Sequence, residues 1–279
     1  MSQGAVLIAR NNTEVDYIKQ AVFCAKRIIH FLNIPVSLIT DNTDYLEKNY
    51  KDHPFDKVIT VNNNTDYSYK KYHDGAFTRK KLEFKNTNRS SVYDLSPYDE
   101  TLVLDTDFIL ANDVFKHCFE QQNDFLIYSD AFELSNVRNL NEFKFISEVG
   151  PKFYWATCIF FRKTELNKIF FDLVSHIQEN WSHYRNIYRL HSTVFRNDWA
   201  FSIAIHIVNG YTENNFANKM PGTMFYTTDR DLLIELKENN FLFLLQTHEE
   251  STEYFPAKIK NSNIHVMNKY SLNRVIDNA

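Results

Sequence analysis

The chain has 279 residues, of which 44% are hydrophobic and 24% charged, enough for a substantial core in one large domain or two small ones. A formal charge of −4 excludes a globally basic nucleic-acid binder, and five glycines leave no glycine-rich phosphate loop of the Walker or Rossmann kind. Three widely spaced cysteines, Cys24, Cys118 and Cys158, have no C-x-x-C among them, which favours buried free thiols in a reducing compartment over a disulfide framework or a zinc site.

The opening "MSQGAVLIARNN" offers about six apolar positions before it turns polar, too few for a signal peptide or a membrane span. The expectation is a soluble, cytoplasmic protein. Residues 4–9, "GAVLIA", read as a strand covered on both faces. A helix follows, with Thr13 and Asp16 making a capping-box-like start and Val15, Ile18, Val22, Ile29 and Leu32 at helical spacing. Pro35 stops it, and "VSLITDN" is a second buried run. "DKVITV" (56–61) is a third strand, and the polar segment after it predicts a helix over 76–86. "TLVLDTDFIL" is the fourth strand, followed by a short helix over 114–119 and the run "DFLIYSD". The second half reads as a strand over 153–163, a helix over 165–184, and a helix starting at Asn197 and Asp198. "NFLFLL" and "NIHVMNK" are late strand candidates. Strand and helix alternate as in an α/β fold with a mixed, mostly parallel sheet flanked by helices. No linker divides the chain, so a single domain over 1–279 is expected, with a nucleotide-binding half (1–110) and an acceptor-binding half (111–279).

Asp105 and Asp107 stand one residue apart inside the apolar run. On a continuous strand, side chains two positions apart share a face, about 7 Å apart at the α-carbons, so both carboxylates address one cation. A parallel strand ends at the binding crevice of an open α/β sheet, and oxygen ligands there suit Mg2+ or Mn2+. The alternative is a solvated turn at a strand end. His265 is either a further ligand or a half-buried strand-end histidine, and Lys269 either meets a phosphate or is a surface lysine. Asn197 and Asp198 either cap their helix or face the crevice with catalytic groups. Arg10 and Asp41, after the first and second strands, fall along the same crevice, where a nucleoside can lie, or are ordinary loop residues. The basic segment contains Lys70, Lys71, Arg79, Lys80, Lys81, Lys85 and Arg89, interleaved with Tyr67, Tyr69, Tyr72 and Phe77. It holds phosphates, meets a polyanionic acceptor with room for base stacking, or is a solvated face.

In order along the chain, "LIARNN", "ITDN", "LVLDTDFIL", "WATCIFF", "RNDWAFSIA" and "HVMNK" resemble the nucleotide-sugar glycosyltransferases of the GT-A fold, nearest the glycogenin and bacterial galactosyltransferase-like group. The resemblance implies a metal held by Asp105, Asp107 and His265, with Lys269 at the donor diphosphate; Arg79, from the basic segment, is a second candidate for positive charge there. It places Arg10 and Asp41 at the nucleoside and Asp198, with Asn197, near the acceptor or the anomeric carbon. It implies a UDP-sugar donor, retention of configuration, and an acceptor hydroxyl on a glycan, a protein or a modified DNA base. The asparagine- and lysine-rich composition is similar to phage-encoded members, which would place the protein in a host cytoplasm. The chain departs from the family in lacking a glycine after His265 and in carrying Ala156-Thr157-Cys158 where an Asn-Ser-Gly-like turn is usual.

Two other readings share the motif. Haloacid-dehalogenase-like phosphotransferases use the first aspartate of a D-x-D as nucleophile, which would be Asp105. Their motif usually follows the first strand and carries Thr or Val two residues beyond the second aspartate, where this chain has Ile109. A catalytically silent sugar-nucleotide-binding domain is the non-enzymatic reading.

Overall fold

A run without polar side chains is stable as a strand only when both faces are covered. In the computed structural model, which describes residues 1–61, 68–85, 88–136, 143–148, 150–213 and 215–278, that run is β1 (Gln3–Ile8), inside the main sheet. The next helix, α1 (Tyr17–Leu32), starts one turn later than the Thr13 expected, because Asp16 caps it by accepting from the Lys19 N–H at 2.9 Å. Asn33 closes it in left-handed backbone, and Ile18, Ala21, Ala25 and Ile28 are buried. β2 (Val36–Thr40), α2 (Thr43–Asn49) and β3 (Lys57–Thr60) continue the series, with β1, β2 and β3 pairing in parallel.

The helix expected over 76–86 is replaced by an antiparallel hairpin of β4 (Ser68–Asp74) and β5 (Thr78–Phe84). Gly75 turns it with φ +71°, and Asp-Gly between aromatic-rich runs is a hairpin signal that the charge spacing obscured. Tyr72 and Leu82 lie on one face of the hairpin and are buried with Val15, which favours two strands over a helix. Tyr67, also expected in the basic segment, lies outside the described residues.

After α3 (Val92–Leu95), β6 (Glu100–Leu104) pairs in parallel with β1. The strand expected to run on through residue 110 breaks at Asp105. β7 (Phe108–Ile109) belongs to a different sheet. Then come α4 (Lys116–Glu120), β8 (Phe125–Tyr128), β9 (Ala131–Glu133) and β10 (Trp155–Arg162), the last antiparallel to both β6 and β8. The single helix expected over 165–184 is two, α5 (Glu165–Glu179) and α6 (Trp181–Ile187), divided at Asn180. Its inward face is Phe170, Phe171, Val174 and Ile177, whereas Leu166 is exposed. α7 (Asn197–Val208) packs on β10, with α5 against it.

The remaining elements are β11 (Asn218–Lys219), β12 (Met224–Thr227), β13 (Leu232–Lys237), β14 (Asn240–Gln246), β15 (Tyr254–Lys260), β16 (Ile264–Val266) and α8 (Lys269–Ile276). Among the described residues the main sheet has the order β11-β8-β10-β6-β1-β2-β3, the second β7-β16-β12-β9, and the third β13-β14-β15. The main sheet is mostly parallel, its antiparallel pairings being those of β10, and helices flank it. All three cysteines are free and buried. Among the described residues no helix is long and apolar enough to cross a membrane.

Candidate active site

Leu104 ends β6, and the next three residues turn the chain from the main sheet into the second one. The Asp105 N–H donates to Thr157 O of β10 at 2.8 Å, and the Phe108 N–H donates back to Asp105 O at 3.0 Å. Asp107 O accepts from the Val266 N–H of β16 at 2.9 Å. Asp105 and Asp107 are therefore held by a turn at a seam between sheets, and the shared strand face expected for them is absent. The seam itself delivers the third group. β7 and β16 pair antiparallel with His265 opposite Phe108, so the imidazole lies beside both carboxylates. One ligand atom from each of Asp105, Asp107 and His265 lies within 4.8 Å of the others. His265 Nε2 is 3.0 Å from Asp107 Oδ2 and 4.0 Å from Asp105 Oδ2. Two carboxylate oxygens and one imidazole nitrogen make a donor set that fits a divalent cation. These residues come from both sides of residue 110.

Each carboxylate also has a cation of its own. Lys269, the first residue of α8, pairs with Asp107. Arg89, almost fully buried, pairs with Asp105 and donates to Ala156 O. Burial alone would raise the Asp107 carboxyl, but the Lys269 ammonium and the His265 imidazole outweigh it and hold it well below the usual carboxylate range. Arg89 was visible in the sequence only as the last member of a basic segment. Nothing in its spacing marks a residue that reaches sixteen positions ahead to Asp105.

Asp198 is not a solvent-facing cap. It is the second residue of α7, and its Oδ1 accepts from the Ala156 N–H at 3.0 Å while Arg196 donates to Oδ2 at 3.1 Å. Both oxygens are engaged, and the side chain still lines the cavity, as does Asn197. Arg10 donates from Nε to Asp41 at 3.0 Å and from Nη1 to Lys85 O at 2.8 Å. Arg10 lines the cavity, whereas Asp41 stands behind it. Arg79 is not brought to the site: it lies exposed on β5, opposite His73, and outside the cavity lining.

These groups border one cavity of about 720 Å³ at the ends of β1 and β6, walled on one side by β4. Phe143, Trp155 and Tyr226 form an aromatic part of its wall, with the Phe143 and Trp155 rings 4.7 Å apart and those of Trp155 and Tyr226 5.0 Å apart. From β4, Lys70 holds its ammonium 3.2 Å from the centre of the Phe84 ring. Burial, reinforced by the positive charge of Arg196, pushes its pKa down to about 7.

No protein-family model and no curated protein sequence matches the chain. Among solved structures it is similar to the glycosyltransferase GlyE of Streptococcus pneumoniae TIGR4, with 12% identity over 78% of this chain and a TM-score of 0.42. The likeness covers 45% of GlyE, so the chain spans less than half the length of that protein. It is also similar to the galactosyltransferase LgtC in complex with donor and acceptor sugar analogs, with 13% identity, 72% of this chain and 70% of that one covered, and a TM-score of 0.43. The bifunctional IspDF from Campylobacter jejuni shows 13% identity over 80% of this chain and 50% of its own, with a TM-score of 0.41.

Proposed function

We propose that the chain is a glycosyltransferase of GT-A type that moves a sugar from a nucleoside diphosphate, with UDP-sugar the donor, to an acceptor hydroxyl on a glycan, a protein or a modified DNA base. The observation that carries this reading is the convergence of Asp105, Asp107, His265 and Lys269 at the strand-end cavity. Asp105, Asp107 and His265 would hold Mn2+ or Mg2+, which when bound supplies Lewis-acid stabilisation of charge on the leaving diphosphate. Lys269 and Arg89 add fixed positive charge at the same end of the cavity. Arg10 lies where the nucleoside would, oriented by Asp41 and the Lys85 carbonyl.

Asp198 lines the same cavity as a carboxylate with both oxygens held. An acid fixed in this way suits stabilisation of positive charge developing at the anomeric carbon better than removal of the acceptor proton, which favours retention of configuration. The phosphotransferase alternative needs an aspartate free for in-line attack, yet Asp105 is tied to Arg89 and Asp107 to Lys269 and His265.

A thermal-shift panel of nucleotide sugars with and without Mn2+, repeated on Asp107→Ala, tests the reading. Metal-dependent stabilisation by one donor that disappears in the variant is the expected result. Absence of a shift with every donor, or a trapped phosphoaspartate at Asp105, would overturn it.

A further inference from the structure

The charges around the cavity are unevenly distributed. At the metal end the Asp105 and Asp107 carboxylates face Lys269 and Arg89, two negative groups against two positive ones. Two further cations, Lys70 and Arg196, line the same cavity, Arg196 pairing with Asp198. The Lys70 ammonium makes no hydrogen bond or ion pair among the described residues. Its ammonium rests on the Phe84 ring at 3.2 Å, and the charges around it are Arg196, Asp198, Lys269 and Asp105. Arg196, just before α7, stacks over Trp199 at 5.2 Å and over Phe143 at 5.6 Å, with one Nη on Asp198 at 3.1 Å. Rings on which a guanidinium stacks fix its plane, and a fixed planar fork beside a point-charge ammonium is a pairing suited to phosphate oxygens.

We propose that Lys70 and Arg196 form a second anion subsite, separate from the donor diphosphate, that binds a phosphate group carried by the acceptor. The inference rests on the donor reading above, because the subsite is assigned to the acceptor by its contact with Asp198, the carboxylate placed at the anomeric carbon. A monoester on a sugar and a diester in a nucleic-acid strand share this chemistry. The exposed Lys71, which also lines the cavity, stands on β4 beside Lys70 and extends positive charge outward.

The test is titration of the full chain, with and without Mn2+ and UDP, using glucose, glucose 6-phosphate and a short oligothymidylate as probes. The expected result is that at least one phosphate probe binds the UDP-loaded protein about tenfold more tightly than glucose. Lys70→Met and Arg196→Met should each remove that preference while UDP affinity stays within about twofold of the wild type. Arg196→Lys should fail to restore it, because the fork is lost, and Lys70→Arg should retain it. The lowered Lys70 ammonium adds a signature. The preference should decline between about pH 7 and 9 in the wild type and hold level in Lys70→Arg, with Arg196, Asp198, Lys269 and Asp105 as the other charges facing the group.

Binding by the monoester alone or by the diester alone identifies the source of the phosphate. Equal binding of all three probes overturns the proposal. So does loss of UDP affinity in Lys70→Met as large as in Lys269→Met, which would assign Lys70 to the donor. Failure of UDP to bind the wild type sinks the donor reading instead. Phosphate binding that depends on Lys70 would then survive as a separate observation on the unloaded protein.

Discussion

Lys269 and Asp107 are joined across the seam where the second sheet meets the start of α8, so the cation that would face a diphosphate occupies a carboxylate that would face a metal. The two roles compete. In Lys269→Met, Asp107 loses a positive neighbour, and Mn2+ affinity without donor should rise by about tenfold, roughly 1.4 kcal/mol. Turnover of the donor should nonetheless fall by about 100-fold, because the leaving group loses a fixed charge. Metal titration and steady-state kinetics on the one variant measure both. A variant that binds metal less tightly would show that Lys269 supports the cluster rather than competing with it.

Asp198 ties α7 to β10 through the Ala156 N–H, and it carries the charge that Arg196 partners. Replacement by Asn keeps an acceptor for Ala156 and removes the charge. Replacement by Ala removes both. Asp198→Asn should therefore fold with near-wild-type stability while kcat drops by roughly 100- to 10,000-fold. Asp198→Ala should lose a further ~1–3 kcal/mol of stability from the unpaired groups it leaves behind. Chemical denaturation together with donor-hydrolysis rates separates the two effects, and an active Asp198→Asn would remove this residue from the mechanism.

What could be read in advance follows where burial comes from. β1, β2 and β6 were visible because a strand covered on both faces must be apolar throughout, and α1 because its stripe of Ile18, Val22 and Leu32 faces one sheet. The hairpin of β4 and β5 was not, because Tyr72 and Leu82 are the only fully buried residues of its two strands and its charges repeat at a spacing that also suits a helix. Asp105 and Asp107 stood out by composition, but the pleat argument assumed an unbroken strand. Their geometry comes instead from a turn held by Thr157 and Val266, partners far away in sequence. Arg89, Lys70 and Arg196 gain their roles only through such distant contacts, which no local pattern encodes.

Gly4 lies under the ring of Tyr98. A β-carbon at position 4 would meet the ring at 2.5 Å, and the ring cannot easily move because its hydroxyl is hydrogen-bonded to Ser37 Oγ at 2.7 Å. Gly4→Ala should therefore destabilise the protein by about 1–3 kcal/mol through overpacking. Combining it with Tyr98→Leu should recover part of that loss relative to Tyr98→Leu alone, because the clash is then gone. Urea denaturation of the four proteins checks the coupling. Strict additivity would mean that the ring is not what Gly4 accommodates.

Asp74 at the end of β4 accepts two hydrogen bonds from Arg274 of α8, at 2.7 and 2.8 Å, and so fastens the hairpin to the helix that begins with Lys269. These bonds outweigh partial burial and lower the Asp74 carboxyl from its ordinary value. The sign follows directly. A carboxylate with a depressed folded pKa contributes stability that is fully present above its unfolded value, about 3.9, and that is lost as pH falls through the folded one. At pH near 6 the wild type should exceed Asp74→Asn by about 1 kcal/mol, the modest value expected for a bidentate but partly solvated pair. The difference should narrow steadily below about pH 4 and vanish once Asp74 is protonated in both states. Arg274→Met should show the same loss near neutrality and the same narrowing in acid. Thermal melts of the three proteins across this range give the comparison. A gap that stays constant down to acid pH would mean that the bonds hold the hairpin by packing alone, with no part played by the charge on Asp74.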